Sequence, residues 1–175
     1  MKDRITDNDK KAIVDLLNET IRIEYHFIVN YPRLIDQLAN IDGIPRESIP
    51  QSFEKLGKVS AKHFGLLWEL IKKLGGEQQL RVGAIEKIVD STTFLALQAE
   101  RAKLALSLLQ QAKTIAEHSQ VKGLRRIWGK ANATGEPKRS TILGILDAII
   151  KDKNQHITQL KDAVSALNIQ KEKLF

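Results

Sequence analysis

Apolar residues recur at spacings of three and four along most of this chain, and no stretch alternates with a period of two. The pattern predicts four long helices. The first runs from about Asp9 to Ala39, with Ile13, Leu17, Thr20, Phe27, Ile28, Tyr31, Ile35 and Leu38 on its apolar stripe and Pro32 as an expected kink or shift in register. Asp42-Gly43-Ile44-Pro45 reads as a turn, and Pro50 can open the next helix. The second spans about Gln51 to Leu74, with Phe53, Leu56, Leu67, Leu70, Ile71 and Leu74 inward and Gly75-Gly76 as a stop signal. The third covers about Ile85 to His118. The fourth covers about Ser140 to Leu167, with Ile142, Ile145, Ile149, Leu160, Ala163 and Leu167 on one face. Between the last two lies a loop, Ser119 to Lys138, with room for a helical turn around Leu124 to Trp128.

Four helices of this length pack as a bundle at shallow angles, apolar stripes inward. The expected fold is all-α, an antiparallel four-helix bundle formed by one domain over residues 1–175, with a crossover connection between the second and third helices. An apolar fraction of 42% is enough for a core without staples. The chain has no cysteine, which excludes disulfides, thiolate–metal sites and cysteine nucleophiles. The sequence begins with a polar stretch and has no apolar run of membrane-spanning length, so a cytoplasmic, non-membrane protein is expected.

Several polar residues fall inside the apolar stripes. At about 100 degrees per residue, Glu24 lies within about 40 degrees of Leu17, Ile28, Tyr31 and Ile35. His63 sits at the centre of the arc carrying Leu56, Leu67, Leu70 and Leu74, with Ser60 one turn before it. Gln98 falls among Leu95, Ala102, Ala105 and Leu109. His156 is flanked by Ile149, Leu160, Ala163 and Leu167, with Lys153 one turn earlier. Singly, each has an ordinary explanation: a satisfied core histidine, a lysine that snorkels to solvent, or a side chain bonded to nearby backbone. Jointly, over four helices, they point to one polar site, because burying such groups is costly unless they satisfy one another. His26 and His118 are expected on the exposed side.

These residues resemble the ferritin-like superfamily, bacterioferritin and rubrerythrin-like bundles in particular. That family's first helix carries a metal-binding Glu followed seven residues later by a Tyr, here Glu24 and Tyr31. Its second and fourth helices each carry Glu-x-x-His, here Ser60-Ala61-Lys62-His63 and Lys153-Asn154-Gln155-His156. Its third carries a Glu, where this chain reads Leu95-Ala96-Leu97-Gln98. The resemblance covers all four helices. It implies a di-metal site that is degenerate here, with both bridging carboxylates replaced, by Ser60 and Lys153, and one terminal carboxylate replaced by Gln98. Glu100 is an alternative carboxylate on the third helix, but it shares an arc with Lys103, Ser107, Gln110 and Gln111, the solvent side.

A di-iron centre needs about four carboxylates, with a His for each iron. One carboxylate does not meet that need, and an ammonium at Lys153 repels metal. The sequence therefore reads as a ferritin-like bundle without di-iron ferroxidase activity, non-catalytic, with no resident cofactor and a polar remnant in its core. An alternative is a metal-binding protein or oxidoreductase with one divalent ion, iron or zinc, held by Glu24, His63 and His156. A second alternative rests on charge. The net charge is +7, and much of it lies on Lys122, Arg125, Arg126, Lys130, Lys138 and Arg139, opposed locally by Glu136. Such a loop, with Trp128 as a stacking platform, could bind nucleic acid or an acidic protein. Tyr25, Leu66 and Trp68 offer a face for a homo-oligomer, a dimer by preference.

Overall fold

The computed structural model describes residues 6–38, 48–80, 90–119 and 142–173, without the side chains of 48–50 and 167–173. Among them are four helices: α1 (Asp7–Leu38), α2 (Ser48–Lys73), α3 (Ser91–His118) and α4 (Ile142–Lys173). None is long and apolar enough to cross a membrane.

Local chemistry sets the ends. Thr6 caps α1, its Oγ1 accepting from the Asp9 amide at 3.1 Å. The helix therefore starts at Asp7, with Asp7 and Asp9 in the first turn where the helix dipole favours them. Asp90 caps α3 by accepting from the Thr93 amide at 2.7 Å. This puts the start of α3 at Ser91 rather than near Ile85. The fourth helix continues past Leu167 to Lys173, since nothing in Asn168 to Lys173 breaks a helix. Pro32 lies inside α1 with its ring exposed, and the helix runs on to Leu38.

The α1 stripe is rotated from the sequence expectation. Ile28 and Ile35 are half-buried, while Ile21, Ile23 and Leu34 are buried. The reason is that α1 packs on both α2 and α3, so its buried arc is wider than one seam. The other packed pairs are α3 with α4 and α2 with α4. Helices α1 and α4 are diagonal across the bundle, and so are α2 and α3. The chain from α2 to α3 thus joins diagonal helices, which is the crossover.

Two apolar clusters fill the interior. One gathers Ile13, Leu17, Ile21, Leu67, Leu70, Leu109, Leu146 and Ile149. The other gathers Phe27, Tyr31, Leu34, Phe53, Leu95, Ala102 and Leu160. Five buried polar side chains, Glu24, Ser60, His63, Lys153 and His156, lie at helix positions near where the two meet, and buried Gln98 lies on α3 among residues of the second cluster.

The end of α2 is locked to the start of α1, which makes the two antiparallel. Buried Asn18 donates Nδ2–H to the Glu77 carbonyl at 3.0 Å, and the Gln79 amide donates to its Oδ1 at 2.9 Å. Gly75 takes φ of 75°, the left-handed conformation that ends a helix. Gly76 is needed for space, because a Cβ there would lie 2.6 Å from both Val14 methyl groups. Gly76→Ala is expected to cost about 1–3 kcal/mol by overpacking. Combining it with Val14→Ala should return part of that loss in urea unfolding. Strictly additive losses would show that the two positions do not meet.

Candidate functional site

Helices α1 and α4 do not pack against each other, so contacts between them pass through the bundle axis. Glu24 reaches inward from α1, and Lys153 and His156 reach inward from α4, one turn apart. All three are buried. The Lys153 ammonium donates to Glu24 Oε2 at 2.8 Å and lies the same 2.8 Å from Oε1. It also lies 3.2 Å from His156 Nδ1 and sits over the Phe27 ring, 4.4 Å from its centroid. On its other edge, His156 Nε2 bonds the Tyr31 hydroxyl. From α2, His63 places Nδ1 3.5 Å from Glu24 Oε1, a long contact without hydrogen-bond geometry. Its Nε2 meets Asp152 Oδ2 at 3.1 Å.

The groups fix one another's protonation. Burial would raise the Glu24 carboxyl, but Lys153 and His63 outweigh it and hold it below its ordinary value. Burial pulls Lys153 down from the usual lysine value, against the opposing pull of Glu24. With both carboxylate oxygens at 2.8 Å, the lysine is the ammonium and the pair is ionic. Burial first, then Lys153 and His63, push His156 down to about 2, so its ring is neutral. An ammonium only donates, so His156 Nδ1 must accept. The ring proton is then on Nε2 and points to the Tyr31 oxygen. Burial, and then Glu24, raise the Tyr31 phenol well above its usual value, so it keeps its proton.

This donor set does not fit two metals. Glu24 Oε2 accepts from Lys153, its Oε1 lies 2.8 Å from the same ammonium without a hydrogen bond, and His156 spends one nitrogen on Lys153 and the other on Tyr31. Ser60 Oγ and both amide atoms of Gln98 are buried without a hydrogen-bond partner in the protein, and neither is a charged ligand. Glu100 is exposed and paired with Lys103 on its own helix. Among the described residues, no three His, Cys, Asp or Glu side chains are grouped so as to hold a metal ion.

Sequence reasoning missed Asp152, the partner of His63. It lies beside Lys153 and is part-exposed, so it carries no stripe signal. It also missed the position of Phe27 beneath the ammonium, although it had placed Phe27 on the inner stripe. His26 is half-buried rather than exposed, whereas His118 is exposed. The basic residues Lys122, Arg125, Arg126, Lys130, Lys138 and Arg139, with Trp128, lie outside the described residues.

The fold is shared with known ferritin-like structures. One is described as a ferritin-like, diiron-carboxylate protein from Bacillus anthracis str. Ames. It superposes with a TM-score of 0.70 at 20% identity, covering 91% of this chain and 99% of that one. Another is a dodecameric thioferritin, the bacterioferritin-related protein from Bacteroides fragilis. It superposes with a TM-score of 0.68 at 17% identity, covering 94% of this chain and 90% of that one. No protein-family model and no curated protein matches the sequence. The chain therefore has the ferritin-like fold, and at these identities the likeness speaks for the fold alone.

Two measurements follow from the geometry. Lys153→Met leaves Glu24 buried and unpaired, at a cost of about 3–5 kcal/mol. Adding Glu24→Leu should recover most of it, and additive losses in denaturant melts would show that the charges do not meet. The second is acid stability. The folded His156 stays neutral down to about 2, whereas the unfolded one gains a proton near 6.5. The unfolded chain binds the extra proton in that window, so stability falls as pH drops below 6.5, by up to about 1.4 kcal/mol per unit. Glu24 adds a further loss as pH falls below its ordinary 4.5 and then through its lower folded value. His156→Gln should flatten the first window and leave the second. An unchanged slope between pH 6.5 and 4.5 would show that the ring is not held neutral.

Proposed function

We propose that this protein is a non-catalytic ferritin-like bundle in which a lysine ammonium takes the central position that a metal cation holds in di-metal relatives. It acts through its shape and surfaces rather than through ferroxidase or oxygenase chemistry. The observation that carries this reading is Lys153 Nζ, 2.8 Å from both oxygens of Glu24 in the middle of the core.

The physical case rests on charge. Two hard divalent cations need several carboxylates, and the described interior supplies Glu24, already neutralised by Lys153. A metal entering here would have to expel a hydrogen-bonded ammonium from a buried carboxylate and an imidazole. Such a pair need not add net stability over an apolar pair of similar volume. Its effect is specificity: it ties α1 to α4 across the axis at one register, because removing either charge leaves the other stranded.

A single divalent ion at Glu24, His63 and His156 is the second reading. It is favoured by one detail, that Glu24 Oε1 and His63 Nδ1 face each other without a hydrogen bond. It requires Lys153 to turn away from both Glu24 and His156.

Protein purified without chelator is expected to carry far less than one metal per chain by elemental analysis, and to leave Fe(II) oxidation by oxygen at the uncatalysed rate. Lys153→Glu restores a carboxylate between the two histidines and should raise Co(II) affinity by at least about tenfold. One tightly held metal per natural chain would favour the single-ion reading, and two irons with catalysed oxidation would overturn the proposal.

A further inference from the structure

Among the described residues, the buried side-chain atoms without a hydrogen-bond partner in the protein fall into two groups. Thr92 Oγ1 and the two amide atoms of Gln98 belong to α3, whereas Glu24 Oε1, His63 Nδ1 and Ser60 Oγ belong to α1 and α2. The residues of the second group are all fully buried. Glu24 Oε1 and His63 Nδ1 face each other at 3.5 Å. A direct charge-assisted bond closes to about 2.7–2.9 Å, as the Lys153–Glu24 contact does at 2.8 Å. Ser60 is one turn before His63 on α2. At about 100 degrees per residue it lies about 60 degrees from His63, on the same side as Phe64. Phe64 packs on Tyr25 of α1, so the Ser60 hydroxyl is turned toward the helix that carries Glu24. Serine is also the shortest of the six inward polar side chains, so it fills the least space at its level.

The chemistry of the three atoms selects their guest. A carboxylate oxygen accepts, a hydroxyl does both, and a ring nitrogen does one or the other. His63 Nε2 meets Asp152 Oδ2 at 3.1 Å, so Nε2 carries a hydrogen. In the neutral ring, Nδ1 is then a second acceptor facing Glu24 Oε1. A molecule between them must donate to both and accept from Ser60. In the protonated ring, the same molecule accepts from Nδ1 and still donates to Glu24. Water serves either form, and a buried water makes about three hydrogen bonds. Charge points the same way. Lys153 already balances Glu24, so a neutral guest leaves that pair undisturbed. A metal ion brings charge and no hydrogens, and would have to displace the ammonium.

We propose that Glu24 Oε1, His63 Nδ1 and Ser60 Oγ form a binding site for one water molecule held inside the bundle. The site rests on the proposed function, because it keeps Lys153 on Glu24. It also gives the 3.5 Å contact between His63 and Glu24 a role that needs no metal. With the water in place, an unbroken polar chain runs from the part-exposed Asp152 through His63, the water, Glu24, Lys153 and His156 to Tyr31. The buried phenol is thereby linked to solvent through the α2 side of the bundle.

A high-resolution crystal structure of the full natural chain is expected to show one solvent peak within about 3.2 Å of all three atoms. In solution, magnetic relaxation dispersion of water oxygen counts long-lived internal waters. His63→Phe should lower that count by one, with the helical circular dichroism unchanged. Ser60→Ala removes one of the three contacts and should shorten the residence of the same water by about fivefold or more. A direct His63 Nδ1–Glu24 Oε1 hydrogen bond with no solvent peak would overturn the water site. So would a Ser60 hydroxyl bonded to the Leu56 carbonyl, or a dispersion profile that both substitutions leave unchanged. Each of these results leaves Lys153 on Glu24 and the proposed function standing. A metal peak with Lys153 turned away would overturn both.

Discussion

An ammonium held 2.8 Å from both oxygens of a fully buried carboxylate is the constraint around which the rest of this bundle is arranged. Helices α1 and α4 share no backbone packing, and this ion pair, with the Tyr31–His156 bond, joins them across the axis. The protonation states follow from it. Glu24 is kept ionised, His156 is kept neutral with Nδ1 toward the lysine, and Tyr31 keeps its proton. The two apolar clusters leave the pair little water, which raises the cost of losing either charge.

The architecture is that of the ferritin-like fold, and solved structures with this fold include one described as a diiron-carboxylate protein. In this chain six inward positions spread over the four helices are polar, and what stands there sets the chemistry open to the centre. Here those positions carry one carboxylate, two imidazoles already engaged with neighbours, an amide, a hydroxyl and an amine. Here a buried ammonium balances the charge of the buried carboxylate beside it. A shared fold does not by itself carry a shared chemistry.

Much of this was legible in the sequence. The three-and-four periodicity gave the helices, and the same periodicity showed that Glu24, His63, Gln98, Lys153 and His156 interrupt apolar stripes. The helix starts could have been read more closely. Thr6 before Asp7-Asn8-Asp9 and Asp90 before Ser91-Thr92-Thr93 are both capping sequences. The direction of Lys153 was not legible, since a lysine on an inner stripe can equally snorkel out along its methylenes. Asp152 as the partner of His63 was not legible either. A carboxylate at the edge of a helix looks solvated until the neighbouring helix brings a ring nitrogen to 3.1 Å.

The proposed function stands on the amine, rather than an ion, neutralising Glu24. Crystals soaked in Fe(II) and measured on both sides of the iron absorption edge test it most directly. The expected result is continuous side-chain density from Lys153 to Glu24 and no anomalous peak among Glu24, His63 and His156. An anomalous peak there, with Lys153 swung away from the carboxylate, would contradict it.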